Sequence, residues 1–282
     1  MTHECDFPPD AQRLPRLTSD ALATAGATPA EIDRHIRHAL HEGSSIYALD
    51  EAALKALAPD LVITQELCKV CAVAYQEVAR AVRRLDRDVS LLSLEPESLK
   101  GICSTIVSVG DVTGHRRAAE LVEEAMRERI EVVRSMEAPS PRPVVVCLEW
   151  TEPLMVAGHW VPEMVELAGG VDALGTAGAP SRVARWDEVF DARPDVLVLM
   201  PCGFDLARTI EISDEITSRP GFDDLPCARD GRVIAVDGSS YFNRPGPRIV
   251  SGLEILASAV GTAPGEALPR GADWVRLPVA RS

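Results

Sequence analysis

Two runs of branched apolar residues, Leu61-Val62-Ile63 and Val196-Leu197-Val198-Leu199, do not alternate with polar positions. Unbroken runs of this length fit strands covered on both faces, as in a parallel α/β sheet. The same punctuation surrounds both. Residues 49–68 read LDEAALKALAPDLVITQELC, and residues 186–202 read WDEVFDARPDVLVLMPC. In each, an Asp-Glu pair opens a short amphipathic segment and a Pro-Asp dipeptide ends it. The apolar run follows, and a cysteine comes just past its end. The repeat predicts two helix–strand units far apart in sequence, and so two similar α/β lobes in one chain. A cleft between such lobes commonly receives a small ligand.

The remaining pattern fills in around these copies. Helices are predicted near 31–41, 73–85 and 96–108, the last entered through Pro96 as a first-turn proline, with a strand at 89–93. Residues 114–137 give the clearest helix, with Ala118, Val122, Met126, Ile130 and Val133 in one apolar stripe. Thr113 suits its cap, and Pro139 and Pro141 prevent continuation. At ~1.5 Å per residue it spans roughly 35 Å. It lies between the two copies, so it reads as a rigid connector, where a flexible linker would be rich in Gly and Ser. Beyond it come a strand at 143–150, helices at 162–167 and 186–192, a strand at 196–200, mixed helix at 205–218, a strand at 233–236 and a helix at 246–260. Residues 1–30 read as loop, and the tail reads as loosely held. The expected fold class is α/β, two Rossmann-like lobes with parallel sheets joined by one long α-helix. Its boundaries are 1–112, 113–138, 139–262 and a tail at 263–282.

Composition narrows the function. A hydrophobic content of 46% over 282 residues supports packed cores. A net charge of −14 argues against nucleic acid, whose binding needs clustered Lys and Arg. It mainly reports solubility. No apolar run approaches the ~20 residues of a membrane span, so no membrane insertion is expected. The first sixteen residues have neither a basic start nor an apolar core, which does not read as a signal peptide. Seven cysteines in a chain of this size suit reduced thiols. As encoded, a cytoplasmic location is expected.

In open parallel sheets, ligands sit beyond the carboxyl ends of the strands. Those ends are Gln65-Glu66, Leu94-Glu95, Glu149-Trp150, Pro201-Cys202 and residues 237–241. Trp150 and Tyr241 are among them, with Trp160 and Phe242 close by. Such aromatics suit a large flat ligand that can be stacked upon, and read equally well as core anchors. Cys68 and Cys71 follow a strand and open a helix, a context that lowers a thiol pKa. They also fit as metal ligands completed by His3, Cys5 or His159, or as two small apolar residues in packing. His159 sits in a tight turn before a helix, whose partially positive end should favour the neutral imidazole. A satisfied structural histidine is the blander alternative. No GxSxG, Walker or GxGxxG pattern is present, so nucleophile-elbow hydrolases, NTPases and classical dinucleotide folds have no support.

The stretch from Leu148-Glu-Trp-Thr-Glu-Pro153 to Ala157-Gly-His-Trp-Val-Pro-Glu-Met-Val-Glu-Leu-Ala-Gly-Gly170 resembles the cobalamin-binding branch of the ABC-transporter substrate-binding proteins. Thr2–Pro8, Thr64–Val73 and Tyr241–Ile249 fit the same branch, so the resemblance runs nearly to Val260. It implies two α/β lobes joined by one long helix, a corrinoid held in the cleft as cargo, an ABC permease as partner and no catalysis. The ligand residues carried over are Trp150, His159, Trp160, Tyr241 and Phe242 in the second lobe. In the first they are His3, Cys5, Gln65, Cys68 and Cys71. Members of that branch usually carry a strand, a helix and a second strand before the segment matching Thr2–Pro8. The resemblance therefore implies a shortened first lobe, and a periplasmic or cell-surface location if the true start lies upstream.

Three functions compete on these residues. The first is capture of cobalamin or a related corrinoid, which would be bound without catalysis. The second is capture of a metal or a metal chelate of the siderophore type by the same architecture, through His3, Cys5, Cys68, Cys71 and His159. The third is thiol oxidoreduction at Cys68 and Cys71.

Overall fold

The computed structural model describes residues 1–21, 26–41, 46–65, 75–85, 88–262 and 274–277. The chain divides into two units, Met1–Glu95 and Pro96–Ser282.

In the first unit, β1 (Thr18–Asp20), α1 (Pro29–His41), β2 (Tyr47–Leu49), α2 (Glu51–Leu57), β3 (Leu61–Thr64), α3 (Tyr75–Arg83) and β4 (Ser90–Ser93) follow in order. β1 pairs antiparallel with β2, and β3 pairs parallel with β4. Thr28 starts α1 with a reciprocal cap. Its N–H and hydroxyl both donate to Glu31 Oε2 at 2.9 Å, and Pro29 takes the first helical position. Ile32, Ala39, Ile46, Leu54, Val78 and Val82 are buried. Residues 1–30 are not all loop, because Pro9–Arg13 forms a 3-10 turn and β1 pairs with β2. A three-residue strand of polar residues carries no periodic signal, so only its partner strand defines it.

The second unit opens with α4 (Leu99–Val112) and α5 (Arg116–Arg134), which pack on each other. Here the expected boundaries move. Pro96 stays outside α4, and Ser98 caps it by accepting the Gly101 N–H at 3.1 Å. Thr113 does not cap α5. It closes α4 instead, with its hydroxyl donating to the Val109 carbonyl at 2.7 Å. Gly114 at φ 71° then lets His115 donate back to the Gly110 carbonyl at 2.7 Å. That is a glycine helix stop, so the expected 114–137 helix begins two residues late. The stripe of α5 is Ala119, Met126, Ile130 and Val133, while Val122 is 39% exposed. Ala119 replaces Ala118 because it faces Gly110 of α4. A Cβ at Gly110 would lie 2.4 Å from that of Ala119.

The rest of the second unit is β5 (Val144–Thr151), β6 (Leu154–Val156), α6 (Val161–Leu167), β7 (Val171–Asp172), β8 (Arg182–Val183), α7 (Trp186–Ala192), β9 (Val196–Leu199), α8 (Leu206–Glu211), α9 (Asp214–Thr217), α10 (Pro226–Arg229), β10 (Val233–Val236), α11 (Gly238–Tyr241), α12 (Ile249–Gly261) and β11 (Trp274–Arg276). Its sheet runs β11-β10-β9-β5-β6-β8, with β7 also on β5. β5, β9 and β10 are parallel, as expected, and β7, a strand the sequence pattern did not predict, is parallel to β5. β6, β8 and β11 pair antiparallel, which was not expected. The two-residue Glu152-Pro153 connection makes β5 and β6 a hairpin, and a hairpin must be antiparallel. β11 lies in the expected loose tail, yet Trp274 and Leu277 are buried there. Val146, Leu148, Leu197, Leu199, Val233 and Ala235 share one core with Val189, Ile216, Phe222 and Leu225. Among the described residues, no helix is long and apolar enough to cross a membrane.

Candidate functional site

β5, β9 and β10 run parallel, so their carboxyl ends share one edge of the sheet. Hydrogen bonds tie the loops there into one rim. Cys202 donates to the Glu149 carbonyl at 3.0 Å, and Ser239 to the Phe204 carbonyl at 3.0 Å. Asp237 accepts from the Ser240 N–H at 2.7 Å, which starts α11. A Cβ at Gly238 would meet the Pro201 carbonyl at 2.6 Å, so glycine lets α11 approach the end of β9.

Five sequence-predicted residues fall on or beside this rim. Trp150 is the penultimate residue of β5 and is 9% exposed. Its indole donates to the Glu152 carbonyl at 3.1 Å and its ring lies 5.3 Å from Phe204. Trp160 is 4% exposed and donates to the Phe242 carbonyl at 2.8 Å, while Phe242 is 1% exposed. These two side chains pack inside the unit and hold the 158–160 turn against the 237–243 loop. Tyr241 is half-buried at the end of α11. Its backbone is pressed on α12, where a Cβ at Gly252 would sit 2.2 Å from the Tyr241 carbonyl.

His159 is half-buried, its ring 5.8 Å from that of Trp160. Burial holds its imidazole below the ordinary value, with the Glu97 carboxylate pulling the other way. The direction matches the expected neutral form. The cause is desolvation, where the sequence had suggested the helix end.

Phe204 was not predicted. It stands between Trp150 and the α11 loop, with the Arg208 guanidinium 5.4 Å from its ring centre. It lies five residues beyond β9. Extending the strand-end rule a few residues further would have found it.

In the first unit, His3 Nδ1 lies 2.8 Å from the Thr18 hydroxyl and its ring is 5.1 Å from Tyr47. Tyr47 donates to Glu4 at 3.2 Å. Cys5 Sγ is 3.0 Å from the Thr2 hydroxyl. Gln65 is half-buried directly after β3. Cys68 and Cys71 lie outside the described residues. Among the described residues, no three His, Cys, Asp or Glu side chains gather as a metal site. Elsewhere, burial pushes the Cys227 thiol up to about 12 and the Cys147 thiol well above its usual range, so both are inert.

Residues 50–239 match the Periplasmic binding protein family, Peripla_BP_2. The chain belongs to that family. It is a mixed α/β substrate-binding protein of the ABC-uptake type. No curated protein matches it. Among solved structures, it is similar to the periplasmic heme-binding protein RhuT from Roseiflexus sp. RS-1. There the identity is 26%, with 76% of this chain and 80% of that one covered, at a TM-score of 0.60. It is also similar to the periplasmic heme-binding protein BhuT in complex with two hemes, at 20% identity over 91% and 87%, TM-score 0.65. The periplasmic vitamin B12 binding protein BtuF of Vibrio cholerae aligns at 17% identity over 91% and 85%, TM-score 0.63.

Proposed function

We propose that this periplasmic binding protein captures cobalamin or a related corrinoid and delivers it to an ABC permease. The observation that carries this reading is the aromatic pair Trp150–Phe204 at the carboxyl edge of the second-unit sheet, with Tyr241 ending α11 beyond β10 on the same edge. Flat aromatic faces suit a flat macrocycle. The binding of vitamin B12 by one structural relative supports the same class. Tyr241, Phe204 and His159 are the half-buried members of the set and take the ligand. Trp150, Trp160 and Phe242 support them from behind. Gln65, His3 and Cys5 are the corresponding first-unit groups, with Cys68 and Cys71. The boundaries 1–112, 113–138 and 139–262 belong to this proposal. The corrinoid is cargo, bound without catalysis. The family is typically extracytoplasmic, which favours a location outside the cytoplasm over the cytoplasmic expectation.

A second reading, an iron porphyrin or other metal chelate as cargo, draws on two observations. RhuT, at 26% identity, binds heme. His159 offers a half-exposed imidazole kept neutral, the form that binds metal.

Protein mixed with aquocobalamin or with hemin and then desalted tests both. Retained corrin absorbance is expected, and retention of hemin alone would turn the assignment to the second reading. Tyr241→Ala should weaken corrinoid binding by about 0.5–1.5 kcal/mol beyond the lost area, with the fold intact. An unchanged affinity by titration calorimetry would remove Tyr241 from the site.

A further inference from the structure

Among the described residues, three that are not glycine have positive φ, namely Ala58, His159 and Arg193. Ala58 and Arg193 end α2 and α7, where a left-handed residue is ordinary. His159 stands before a helix and ends none. Its conformation is imposed from outside, and such over-determined backbone tends to mark functional groups.

What imposes it is the strap of residues 173–181. The Ala179 carbonyl accepts the His159 N–H at 2.6 Å, and the Gly178 N–H donates to the His159 carbonyl at 2.8 Å. Both backbone groups of His159 are therefore held by one turn, itself closed by Ala179 donating to the Thr176 carbonyl at 3.1 Å. Gly158 lets the strap come this close, since a Cβ there would lie 2.5 Å from the Ala179 carbonyl and the Ser181 N–H. The strap is fixed at both ends to the sheet, by β7 on β5 and by β8 on β6. At its start, Asp172 Oδ1 accepts the Leu174 N–H at 3.0 Å and the Gly175 N–H at 2.6 Å.

We propose that this strap, anchored by Asp172, is a positioning device that aims the His159 imidazole at the cargo. The inference rests on the reading that His159 meets the bound macrocycle. Asp172 is then a positioning residue acting through His159, and neither it nor the strap touches the ligand.

A double-mutant cycle separates this from a general structural role. His159→Ala and Asp172→Ala should each weaken aquocobalamin or hemin binding about tenfold, the size of one lost polar contact. The double variant should bind no worse than His159→Ala alone. Losses that multiply to about a hundredfold would overturn the proposal. Asp172→Asn keeps the Oδ1 acceptor and should bind like the wild type. The second readout needs no ligand. The His159 titration midpoint, followed by NMR, should rise toward its ordinary value in Asp172→Ala. It should also rise in Gly178→Ala, where φ is 75° and the added Cβ meets nothing within 4 Å. That second variant strains only the strap, so it decides the matter if Asp172→Ala fails to fold. An unmoved midpoint in a folded variant would overturn the proposal. If the wild type binds neither macrocycle, the cargo reading fails by itself and the midpoint still tests the strap.

Discussion

α2 stops at Ala58 and α7 stops at Arg193, both at φ 46° and both one residue before a Pro-Asp pair. Each stop residue donates back to the helix, Ala58 to the Lys55 carbonyl at 3.1 Å and Arg193 to the Phe190 carbonyl at 3.2 Å. A carboxylate tends each start. Asp50 accepts the Ala53 N–H at 2.8 Å, and Glu188 accepts the Arg185 N–H at 2.9 Å. Each helix then feeds a parallel strand. The surroundings differ completely. β9 lies between β5 and β10 with all four side chains fully buried. Among the described residues β3 pairs with β4 only, and Ile63 is 41% exposed. Two near-identical local instructions thus end in a core strand and in a half-covered one. Local sequence writes the helix, the stop and the strand, and the number of neighbours sets the burial.

The largest effect should come from matched truncations. Val198→Ala and Ile63→Ala occupy the same place in the two copies. Val198→Ala should cost about 2–3 kcal/mol, because two methyl groups leave a closed core. Ile63→Ala removes a larger side chain and should cost about 1 kcal/mol or less. Denaturant titration of each variant checks this, and equal costs would break the comparison. Hydrogen exchange should show the same contrast without mutation, with β9 amides exchanging far more slowly than those of β3.

A smaller effect should be shared by both copies. Ala58→Gly and Arg193→Gly each relieve a left-handed residue, and each should add about 0.5–1 kcal/mol. A gain at one stop and none at the other, read by thermal melting, would show that burial also governs the turn.

The smallest expected effect is a pH slope in the second unit. His159 has a folded value below its ordinary 6.5, so near that pH the unfolded chain binds more protons than the native one. Stability is then whole above 6.5 and is lost as pH falls through the lowered value. Asp172 works with the opposite sign. Burial raises it above 3.8 against its two amide hydrogen bonds, so stability falls as pH rises through the window just above 3.8. His159→Gln should flatten the first slope and leave the second, as measured by melting at a series of pH values.

Legibility tracked how local each cause was. The β9 and β10 runs, the α7 boundaries and the α2 stop follow from neighbouring residues, and the structure has them where the pattern put them. The start of α5 did not follow, because Thr113 and Gly114 serve the previous helix. In the candidate site, Trp150 and Tyr241 were reached by the strand-end rule. That rule could not tell which aromatics face outward. Trp160 and Phe242 are walled in by the hydrogen bond between them, a contact 82 residues apart. Phe204 lay within reach of a slightly longer strand-end window, but its place beside Trp150 depends on how a loop folds over the sheet edge.

By itself the sequence determined the α/β class, the duplicated helix–strand unit and the strand ends where chemistry collects. Those are consequences of side-chain periodicity, turn residues and apolar runs, all read over a few neighbouring positions. Only the tertiary structure decided that β6, β8 and β11 run antiparallel, that β3 is half-covered while β9 is enclosed, and that His159 is held by a strap from residues 173–181. Each of these depends on contacts between segments far apart in the chain. Such contacts form only when backbone groups and apolar faces find partners that no local window contains.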